Sequence, residues 1–283
     1  MRILIAGASG YIGAALSAAL SARSHDVTGT SRSREGFTKL DVTDLAACVS
    51  LMESGGFDAV VNLAAVGVTA GTASAREMAV VNSRGASTLA QAAAAVHDAP
   101  WFMHVASSTE AKGNGVPESQ YSATKSEGTA GALKVLEAAG VPHSHVVIHN
   151  TYGATQPSGR FLADAVATLR SGSPLFIRFP GRVRDFCYLD DVVTGLVGIV
   201  ERGGSTSTSH EVGTGVGTTL IDAARMICRE LGVPVSMVGH DEHDSVDLHA
   251  VQVADPDRPD FVRCPSSLET GIAQALKAGW GTK

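Results

Sequence analysis

Residues 2–13 read RILIAGASGYIG, and this stretch decides the fold. Its first five residues are a mostly apolar run that is typical of a strand buried on both faces. Three glycines follow, Gly7, Gly10 and Gly13, and then an Ala- and Leu-rich stretch over 14–22 that predicts a helix. A strand, a glycine turn and a helix in this order place free backbone N–H groups at the helix N-terminus, which is the positive end of the helix dipole. That arrangement favours the binding of a diphosphate.

The three glycines are expected to have separate functions. Gly7 permits the tight turn, Gly10 lets a phosphate approach the backbone, and Gly13 lets the helix pack closely on the strand. The spacing is G-x-x-G-x-x-G and not the commoner G-x-G-x-x-G. The position between strand and helix, more than the spacing, therefore predicts a dinucleotide site. Its expected contacts in this segment are Gly7, Ser9, Gly10, Tyr11, Ile12 and Gly13.

The composition is that of an ordinary globular protein. The chain has 283 residues, of which 44% are hydrophobic and 18% are charged, so it can hold one large α/β domain with an appendage, or two domains. A net charge of −6 without a Lys/Arg run argues against a nucleic-acid binder. The four cysteines are scattered, which predicts reduced thiols in a cytoplasmic protein. No stretch approaches the length of a membrane span.

Predicted strands and helices alternate along the first half of the chain. The strands are expected over 25–30, 39–44, 57–65 and 101–106, and the later helices over 81–95 and 121–139. The short strand within 39–44 is expected to run into a helix that Thr43 or Asp44 caps. This alternation predicts an α/β fold with a doubly wound parallel sheet of the Rossmann type. Right-handed crossovers would place the carboxyl ends of the strands along one rim.

The end of the second predicted strand carries Ser31, Arg32 and Arg34. In a dinucleotide fold this position faces the adenosine ribose, where an acidic residue accepts the 2′-hydroxyl and Arg or Ser binds a 2′-phosphate. No Asp or Glu lies at that position. A solvated basic loop is the alternative explanation, but the location favours NADP (NADPH), with NAD as the other cofactor that the fold accepts.

A predicted helix over 121–139 begins with Tyr121 and has Lys125 one turn later. Side chains at i and i+4 share one face of a helix. An ammonium beside a phenol favours the phenolate, so it lowers a tyrosine pKa that is ordinarily about 10. Tyr121 is therefore a candidate acid/base near neutral pH.

In the order and spacing of their motifs, these segments resemble the extended short-chain dehydrogenase/reductases. The matching segments are Gly7-x-x-Gly10-x-x-Gly13, Asp41, Asn62-Leu63-Ala64-Ala65, Asn82, Ser107-Ser108, Tyr121-x-x-x-Lys125, Asn150-Thr151-Tyr152-Gly153, residues 184–192 and Arg258-Pro259-Asp260. Because these matches span nearly the whole chain, it resembles the branch of nucleotide-sugar epimerases, dehydratases and reductases.

The resemblance implies roles for individual residues. Tyr121 would exchange a proton with the sugar hydroxyl or carbonyl, Lys125 would hold the nicotinamide ribose, and Ser108 would hydrogen-bond the same substrate oxygen. Further cofactor contacts would be Asp41, Val42, Leu63, Ala64, Ala65 and Asn82. Substrate contacts would be Ser108, Thr109, Glu110, Asn150, Arg184 and Arg258. The two arginines suit a diphosphate because a guanidinium fork matches phosphate oxygens.

The resemblance also implies how the chain is divided. Residues 1–150, with a returning segment of about 184–213, would form the dinucleotide-binding domain. Residues 151–183 and 214–283 would form a small substrate-binding region. The expected partner is a nucleotide-diphosphate sugar. A homodimer would pair through Ala-rich helices that could equally pack internally.

Four functions are open to such a chain, and two of them are disfavoured. The leading one is NADPH-dependent reduction of a nucleotide-activated 4-keto-6-deoxy sugar to the 4-hydroxy sugar, with the hydride from NADPH and the proton from Tyr121. The second is an NAD-dependent nucleotide-sugar 4-epimerase. A 4,6-dehydratase is disfavoured because Thr109 replaces the Asp that such enzymes carry before the equivalent of Glu110. A non-catalytic dinucleotide-sensing regulator is disfavoured because Tyr121, Lys125 and Ser108 are all present.

Two histidine-containing features lie outside this scheme. His149 stands where the family often has Arg, and we interpret it as a packed core residue. The segment His240-Asp241-Glu242-His243-Asp244, followed by Asp247 and His249, has the residue types of a metal site. We interpret it as a polar loop because the expected chemistry needs no metal.

Overall fold

The structure, a computed structural model, describes residues 1–110, 117, 119–240 and 251–282. Nearly all of the polar segment 240–249 lies outside the described residues. The strands are β1 Arg2–Ala6, β2 Asp26–Ser31, β3 Thr38–Lys39, β4 Ala59–Asn62, β5 Trp101–Ser107, β6 His143–Ile148, β7 Asn150–Tyr152, β8 Leu175–Ile177, β9 Val183–Tyr188, β10 Thr208–Gly213, β11 Gly217–Thr219, β12 Val238–His240, β13 Val251–Gln252 and β14 Phe261–Arg263.

Helices follow most of the strands. They are α1 Tyr11–Ala22, α2 Leu45–Gly55, α3 Ala75–Met78, α4 Ala86–Ala95, α5 Gln120–Ala139, α6 Phe161–Arg170, α7 Leu189–Arg202, α8 Leu220–Leu231 and α9 Leu268–Lys277. A π-helical segment, Ala79–Gly85, joins α3 to α4, and a 3-10 turn, Val235–Met237, precedes β12. The predicted Rossmann-type α/β fold with a doubly wound, mostly parallel sheet is confirmed.

The β1 strand lies inside an eight-stranded sheet of order β14-β10-β6-β5-β4-β1-β2-β3. Its residues Ile3, Leu4 and Ile5 are fully buried, as the apolar run predicts. It pairs in parallel with β2 on one side and with β4 on the other. The chain therefore builds outward from β1 to β3 and then restarts at β4 on the opposite side. Ligands of such sheets bind outside the carboxyl ends of the strands at this switch point.

The chain divides into two compact units. The first unit comprises Met1–Val147 and Val193–His210, and the second comprises Ile148–Val192 and Glu211–Lys283. Each has an apolar core of its own. The first core includes Leu4, Leu89, Phe102 and Leu136, and the second includes Tyr152, Leu162, Ile272 and Trp280. The binding roles expected for the two halves of the chain stay predictions.

Small sheets characterise the second unit. In one of them β9 pairs with β7, β11 and β13, and in the other β8 pairs with β12. Amphipathic helices pack beside them, and α6, α8 and α9 contribute buried residues to the core of this unit.

The helix predicted over 81–95 begins earlier and is not α-helical throughout. It starts at α3, where Ser74 and Glu77 form a reciprocal capping box. It then widens into the π-helical segment before continuing as α4. The widened turn carries Asn82, whose side chain hydrogen-bonds residues outside its own helix. Single π-helical turns of this kind are frequent at functional sites.

Two predicted strands are shorter than expected because side chains turn the chain. The strand expected over 39–44 ends at Lys39, since Asp41 Oδ1 accepts hydrogen bonds from the backbone N–H and the hydroxyl of Thr43. Asp44 then caps α2 by accepting from the N–H of Ala47 at 3.0 Å. Similarly, the strand expected over 57–65 ends at Asn62, whose Oδ1 accepts from the N–H two residues later.

Within the described residues, no helix is long and apolar enough to cross a membrane. The same part of the chain holds no group of three His, Cys, Asp or Glu residues that could bind a metal ion. All the cysteines are buried free thiols, namely Cys48, Cys187, Cys228 and Cys264.

Candidate functional site

The glycine turn after β1 has the shape of a phosphate cradle. Gly7 has a φ of +81°, which side-chain-bearing residues rarely adopt, and its carbonyl accepts the N–H of Gly10 at 3.0 Å. A Cβ added at Gly13 would overlap the Gly7 carbonyl oxygen and lie 2.9 Å from the Cα of Ala8. The first turn of α1 can therefore pack on the loop only without a side chain at Gly13. The residues present fit a bound diphosphate.

A cleft opens at the carboxyl ends of β1, β2 and β4. Its lining residues are Gly7, Ser9, Gly10, Thr30, Ser31, Arg32, Ser33, Leu40, Asp41, Val42, Leu63, Ala64, Ala65, Val66 and Val81. The predicted cofactor contacts from Gly7 to Ala65 largely come together here. Four predicted contacts of this group are not part of the lining, namely Tyr11, Ile12, Gly13 and Arg34, and neither is the later Asn82.

Ser31 is oriented within this cleft. Ser9 Oγ donates to Ser31 Oγ at 3.0 Å, and the backbone N–H of Arg34 donates to the same oxygen at 3.2 Å. Because both bonds fill acceptor positions, the hydroxyl proton of Ser31 is available to a ligand. Arg34 thus contributes a backbone contact that shapes the loop, while Arg32 is the exposed cation in the lining.

Asp41 is an ionised acceptor in the cleft wall. The Thr43 N–H, which lies 2.9 Å from Asp41 Oδ1, lowers the pKa of the carboxyl, and the Thr43 hydroxyl and the charges of Arg32 and Arg84 act in the same direction against burial. The side chain therefore stays negative at neutral pH and can accept a hydrogen bond from an amino group.

Asn82 holds the floor of the cleft in place. Its Oδ1 accepts the N–H of Val66 at 2.8 Å, and its Nδ2 donates to the Val66 carbonyl at 3.0 Å and to Thr124 Oγ1 at 3.1 Å. Both amide protons are therefore engaged within the protein. The structure places Asn82 as a residue that positions the segment 63–66 against α5, and not as part of the cleft lining.

The predicted pair Tyr121 and Lys125 stands in the first turns of α5. Ser119 caps this helix by accepting the N–H of Ser122 at 3.2 Å. Lys125 is only 5% exposed, and its Nζ donates to the carbonyl of Val105 at 2.9 Å. An ammonium has three donors, so two of them are available beyond this contact.

Burial lowers the pKa of Lys125, and the negative charge of Glu110 opposes that effect. Glu110 lies in the turn after β5, where its Oε1 accepts the N–H of Ser107 at 2.8 Å. Thr109 Oγ1 lies 2.9 Å from the Ser107 hydroxyl in the same turn. Ser108 is buried between them, with 5% exposure. The substrate roles predicted for Ser108, Thr109 and Glu110 stay predictions.

Two residues of this region were not found from the sequence. His104 in β5 is fully buried, and Thr129 lies one turn after Lys125 in α5. His104 Nε2 lies 3.0 Å from Thr129 Oγ1, which in turn donates to Glu110 Oε2 at 2.7 Å. The available signal was weak: one histidine in an otherwise apolar strand, and a threonine at helical spacing from Lys125.

In the second unit, Asp185 organises the residues beside Arg184. It is fully buried, and its carboxylate accepts the N–H of Thr214, Gly215 and Ala254, with the Thr214 hydroxyl at 2.6 Å. Arg184, which is 7% exposed, donates from Nη1 to the carbonyl of the preceding residue.

Arg258 and Asn150 belong to the same unit. Arg258 makes a bidentate pair with Asp260, at 3.0 and 2.8 Å, and the Asp260 carboxylate raises its pKa. Asn150 Nδ2 lies 3.5 Å from the carbonyl of Asp185. His149 is buried, and its Nε2 lies 2.8 Å from Glu211 Oε1, in keeping with a packed core residue.

Comparison with known protein families decides the assignment. The model of the NAD dependent epimerase/dehydratase family matches residues 3–213. The chain belongs to this family. The predicted resemblance to extended short-chain dehydrogenase/reductases is thereby confirmed, and the coarse assignment is an enzyme of the NAD-dependent epimerase/dehydratase type.

Solved structures share the fold over nearly the full length of the chain. UDP-glucose 4-epimerase from Thermotoga maritima is 18% identical, with a TM-score of 0.84 and 98% coverage of both chains. DesIV, a dTDP-glucose 4,6-dehydratase from Streptomyces venezuelae, is 20% identical, with a TM-score of 0.81 and coverage of 98% and 96%. UDP-glucuronic acid 4-epimerase from Bacillus cereus is 20% identical, with a TM-score of 0.77 and 98% coverage of both chains. No curated protein matches the sequence.

Proposed function

We propose that the chain is an NADPH-dependent reductase that converts the 4-keto group of a nucleotide-activated 6-deoxy sugar to a hydroxyl. The observation that carries the proposal is the end of β2, where Ser31, Arg32 and Ser33 line the cleft and none of the three is an acidic residue. Among structurally similar proteins, the names of the epimerases and the dehydratase refer to UDP- and dTDP-sugars, which supports a nucleotide sugar as the substrate class.

The β2 end supports NADPH because of its donors. The Ser31 hydroxyl proton and the Arg32 guanidinium suit a 2′-phosphate, whereas a 2′-hydroxyl is ordinarily held by an acidic acceptor at this point. A cell keeps NADP largely reduced, so a preference for it favours a net reduction. When bound, the nicotinamide supplies the hydride to the carbonyl carbon.

The chain's own residues handle the proton. Tyr121 donates its phenolic proton to the carbonyl oxygen as the hydroxyl forms, and solvent returns that proton after the reaction. The Lys125 ammonium lies one helical turn away and favours the phenolate that the donation leaves behind. The remaining Lys125 donors suit ribose hydroxyls. Ser108 would hydrogen-bond the same carbonyl oxygen.

A 4-epimerase that retains NAD is the second candidate. It is supported by the likeness to UDP-glucose and UDP-glucuronic acid 4-epimerases, two of which fit the chain over 98% of its length. A 4,6-dehydratase is less well supported because Thr109 has no acidic proton to give and both oxygens of Glu110 already accept hydrogen bonds from the protein.

Turnover of a dTDP- or CDP-4-keto-6-deoxyhexose with NADPH tests the reaction. Tyr121→Phe is expected to lower kcat by about 100-fold or more while the Kd for NADPH stays within about twofold, because general acid catalysis contributes at least that factor. Substantial activity in Tyr121→Phe would exclude Tyr121 as the proton donor.

Dinucleotide affinity tests the observation at the β2 end. Arg32→Ala is expected to weaken NADPH by about tenfold more than NADH, since a charge-assisted contact to a phosphate is lost. Arg202→Ala, which removes an exposed arginine at the end of α7, is the matched control and should change neither affinity. An equal effect of Arg32→Ala on both dinucleotides would remove the case for a 2′-phosphate site.

A further inference from the structure

A chain of hydrogen bonds runs from the end of β4 through β5 and α5 to the turn after β5. Asn62 Nδ2 lies 3.3 Å from His104 Nδ1, and His104 Nε2 lies 3.0 Å from Thr129 Oγ1. Thr129 Oγ1 donates to Glu110 Oε2 at 2.7 Å, and Glu110 Oε1 accepts the N–H of Ser107 at 2.8 Å. Asn62, His104 and Thr129 are all buried.

The chemistry of the groups fixes the direction of this chain. An ionised carboxylate only accepts, so the hydroxyl proton of Thr129 goes to Glu110 and the Thr129 oxygen accepts from His104 Nε2. The proton of the neutral imidazole is therefore on Nε2, and Nδ1 accepts from the Asn62 amide. Asn62 Oδ1 in turn accepts the N–H of Ala64, which lines the dinucleotide cleft.

The chain of hydrogen bonds ends close to Lys125. Thr129 and Lys125 are one helical turn apart and both bond β5: Thr129 contacts His104, and Lys125 donates to the carbonyl of Val105, the next residue of the strand. Within the part of the chain that the structure describes, the titratable groups near the ammonium are Glu110 after β5, His104 in β5 and Tyr121 in α5. Of these, Glu110 is the carboxylate.

We propose that Glu110 is a positioning residue for Lys125: the directed chain fixes its carboxylate on the hydroxyl of Thr129, one turn of α5 from Lys125, where it acts as the counter-ion of the buried ammonium and not as a contact of the sugar. The inference rests on the proposed function, in which Lys125 tunes Tyr121 and holds the nicotinamide ribose.

Burial makes such a counter-ion necessary. An ammonium that is almost fully withdrawn from water loses its proton unless a nearby negative charge compensates. Burial lowers the pKa of Lys125, and the Glu110 carboxylate opposes this. The pKa of His104 is held well below 6.5, first by burial and then by the charges of Lys125, His145 and His143, so the histidine stays neutral and adds no second positive charge beside Lys125.

The titration of Lys125 in the free protein tests the proposal. The chain has only six lysines, so labelling their Cε carbons with ¹³C gives a simple NMR spectrum in which Lys125→Arg identifies the Lys125 signal. In Glu110→Gln the midpoint of that signal is expected to fall by about one pH unit or more, the usual effect of removing an opposite charge. Glu127→Gln, an exposed carboxylate on α5, is the matched control and should not move it.

Thr129 supplies a second pair of variants. Thr129→Val removes the hydroxyl that orients Glu110 and should also lower the midpoint, whereas Thr129→Ser keeps the hydroxyl and should restore it. An unchanged Lys125 midpoint in folded Glu110→Gln overturns the proposal. Because no dinucleotide or sugar is present in this titration, its outcome is separate from the fate of the proposed reaction.

Kinetics separate the two roles of Glu110 in the working enzyme. As the counter-ion of Lys125, Glu110→Gln should move the alkaline limb of the kcat/KM profile to lower pH by the same interval and leave the KM for the sugar within about twofold. A raised KM for the sugar with an unshifted alkaline limb would identify Glu110 as a substrate contact and contradict the proposal.

Discussion

His104 should make the folded protein sensitive to acid in a way that one substitution removes. It is fully buried, its Nδ1 accepts from Asn62 and its Nε2 donates to Thr129, so protonation of Nδ1 would break a hydrogen bond and place an uncompensated charge in the core. Burial accordingly lowers the pKa of His104 well below 6.5. We predict that His104→Gln, which cannot titrate, flattens the pH dependence of stability below neutrality.

The magnitude follows from proton linkage. A group whose pKa is lowered by folding contributes stability that is present above its unfolded pKa and is lost as the pH falls toward its folded pKa. For a histidine with an unfolded pKa of about 6.5 that stays neutral when folded, the loss between about pH 7.5 and about pH 5.5 is about 1.4 kcal/mol. Wild type should lose that much more of its free energy of unfolding than His104→Gln over this interval.

Urea unfolding at a series of pH values measures this difference. The comparison uses the change with pH and not the absolute stability, so any packing cost of the substitution cancels. His97→Gln makes the same chemical change at a fully exposed side chain and should follow the wild-type slope. If His104→Gln and wild type show parallel pH profiles, His104 titrates normally in the folded protein and the directed hydrogen-bond chain is wrong.

Further predictions concern the glycine turn, the buried carboxylate and the thiols. Gly13→Ala should cost about 1–3 kcal/mol of the free energy of unfolding and abolish dinucleotide binding, because the added Cβ meets backbone atoms of the turn. Gly198→Ala in α7 has room for the Cβ and should raise the free energy of unfolding by up to about 1 kcal/mol. Equal effects of the two substitutions in thermal unfolding would contradict this. Asp185→Ala should cost about 3 kcal/mol or more by leaving buried N–H donors unpaired, while the exposed Asp257→Ala should be close to neutral in the same assay. Ellman's reagent should label almost no thiol in the native protein and four after denaturation, since every cysteine is buried and burial raises the pKa of Cys48 to about 12; rapid native labelling would refute the buried placement.

The elements that carry the candidate site were predicted well where they depend on local sequence. The strand, turn and helix over 2–22 were visible because apolar periodicity and three glycines act within a few residues of one another. The same holds for the start of α5, where Tyr121 and Lys125 share a face through helical spacing alone. The predicted cleft residues follow from these elements, since parallel strands end at one rim.

What the sequence did not show depends on contacts between distant residues. Asn62 and His104 are 42 positions apart, and His104 and Thr129 are 25 apart, so no local pattern marks them as partners. The hydrogen bonds of the Asn82 amide to Val66 and Thr124 were likewise not predicted, because they depend on a π-helical turn that propensities do not predict. The cofactor contact expected of Asn82 stays a prediction.

Short-range side-chain bonds also limited the prediction of strand ends. Asp41 and Asn62 each bond a backbone N–H two residues ahead, and both turn the chain where apolar content alone predicts a longer strand. Side-chain hydrogen bonds of this kind offer the backbone an alternative to the hydrogen bonds of the sheet. They therefore determine where a strand ends more than whether it forms.

The stoichiometry of cofactor consumption tests the central claim most directly. Purified protein, freed of any bound nucleotide, would be mixed with limiting dTDP- or CDP-4-keto-6-deoxyhexose and excess NADPH, and the absorbance of NADPH would be followed to completion. The reductase account predicts that one NADPH is oxidised per sugar converted and that no dinucleotide stays bound to the protein through purification. Tightly bound NAD in the protein as purified, a 4-keto sugar left unreduced with no consumption of NADPH, and inversion at C4 of a 4-hydroxy nucleotide sugar would contradict it and establish the epimerase.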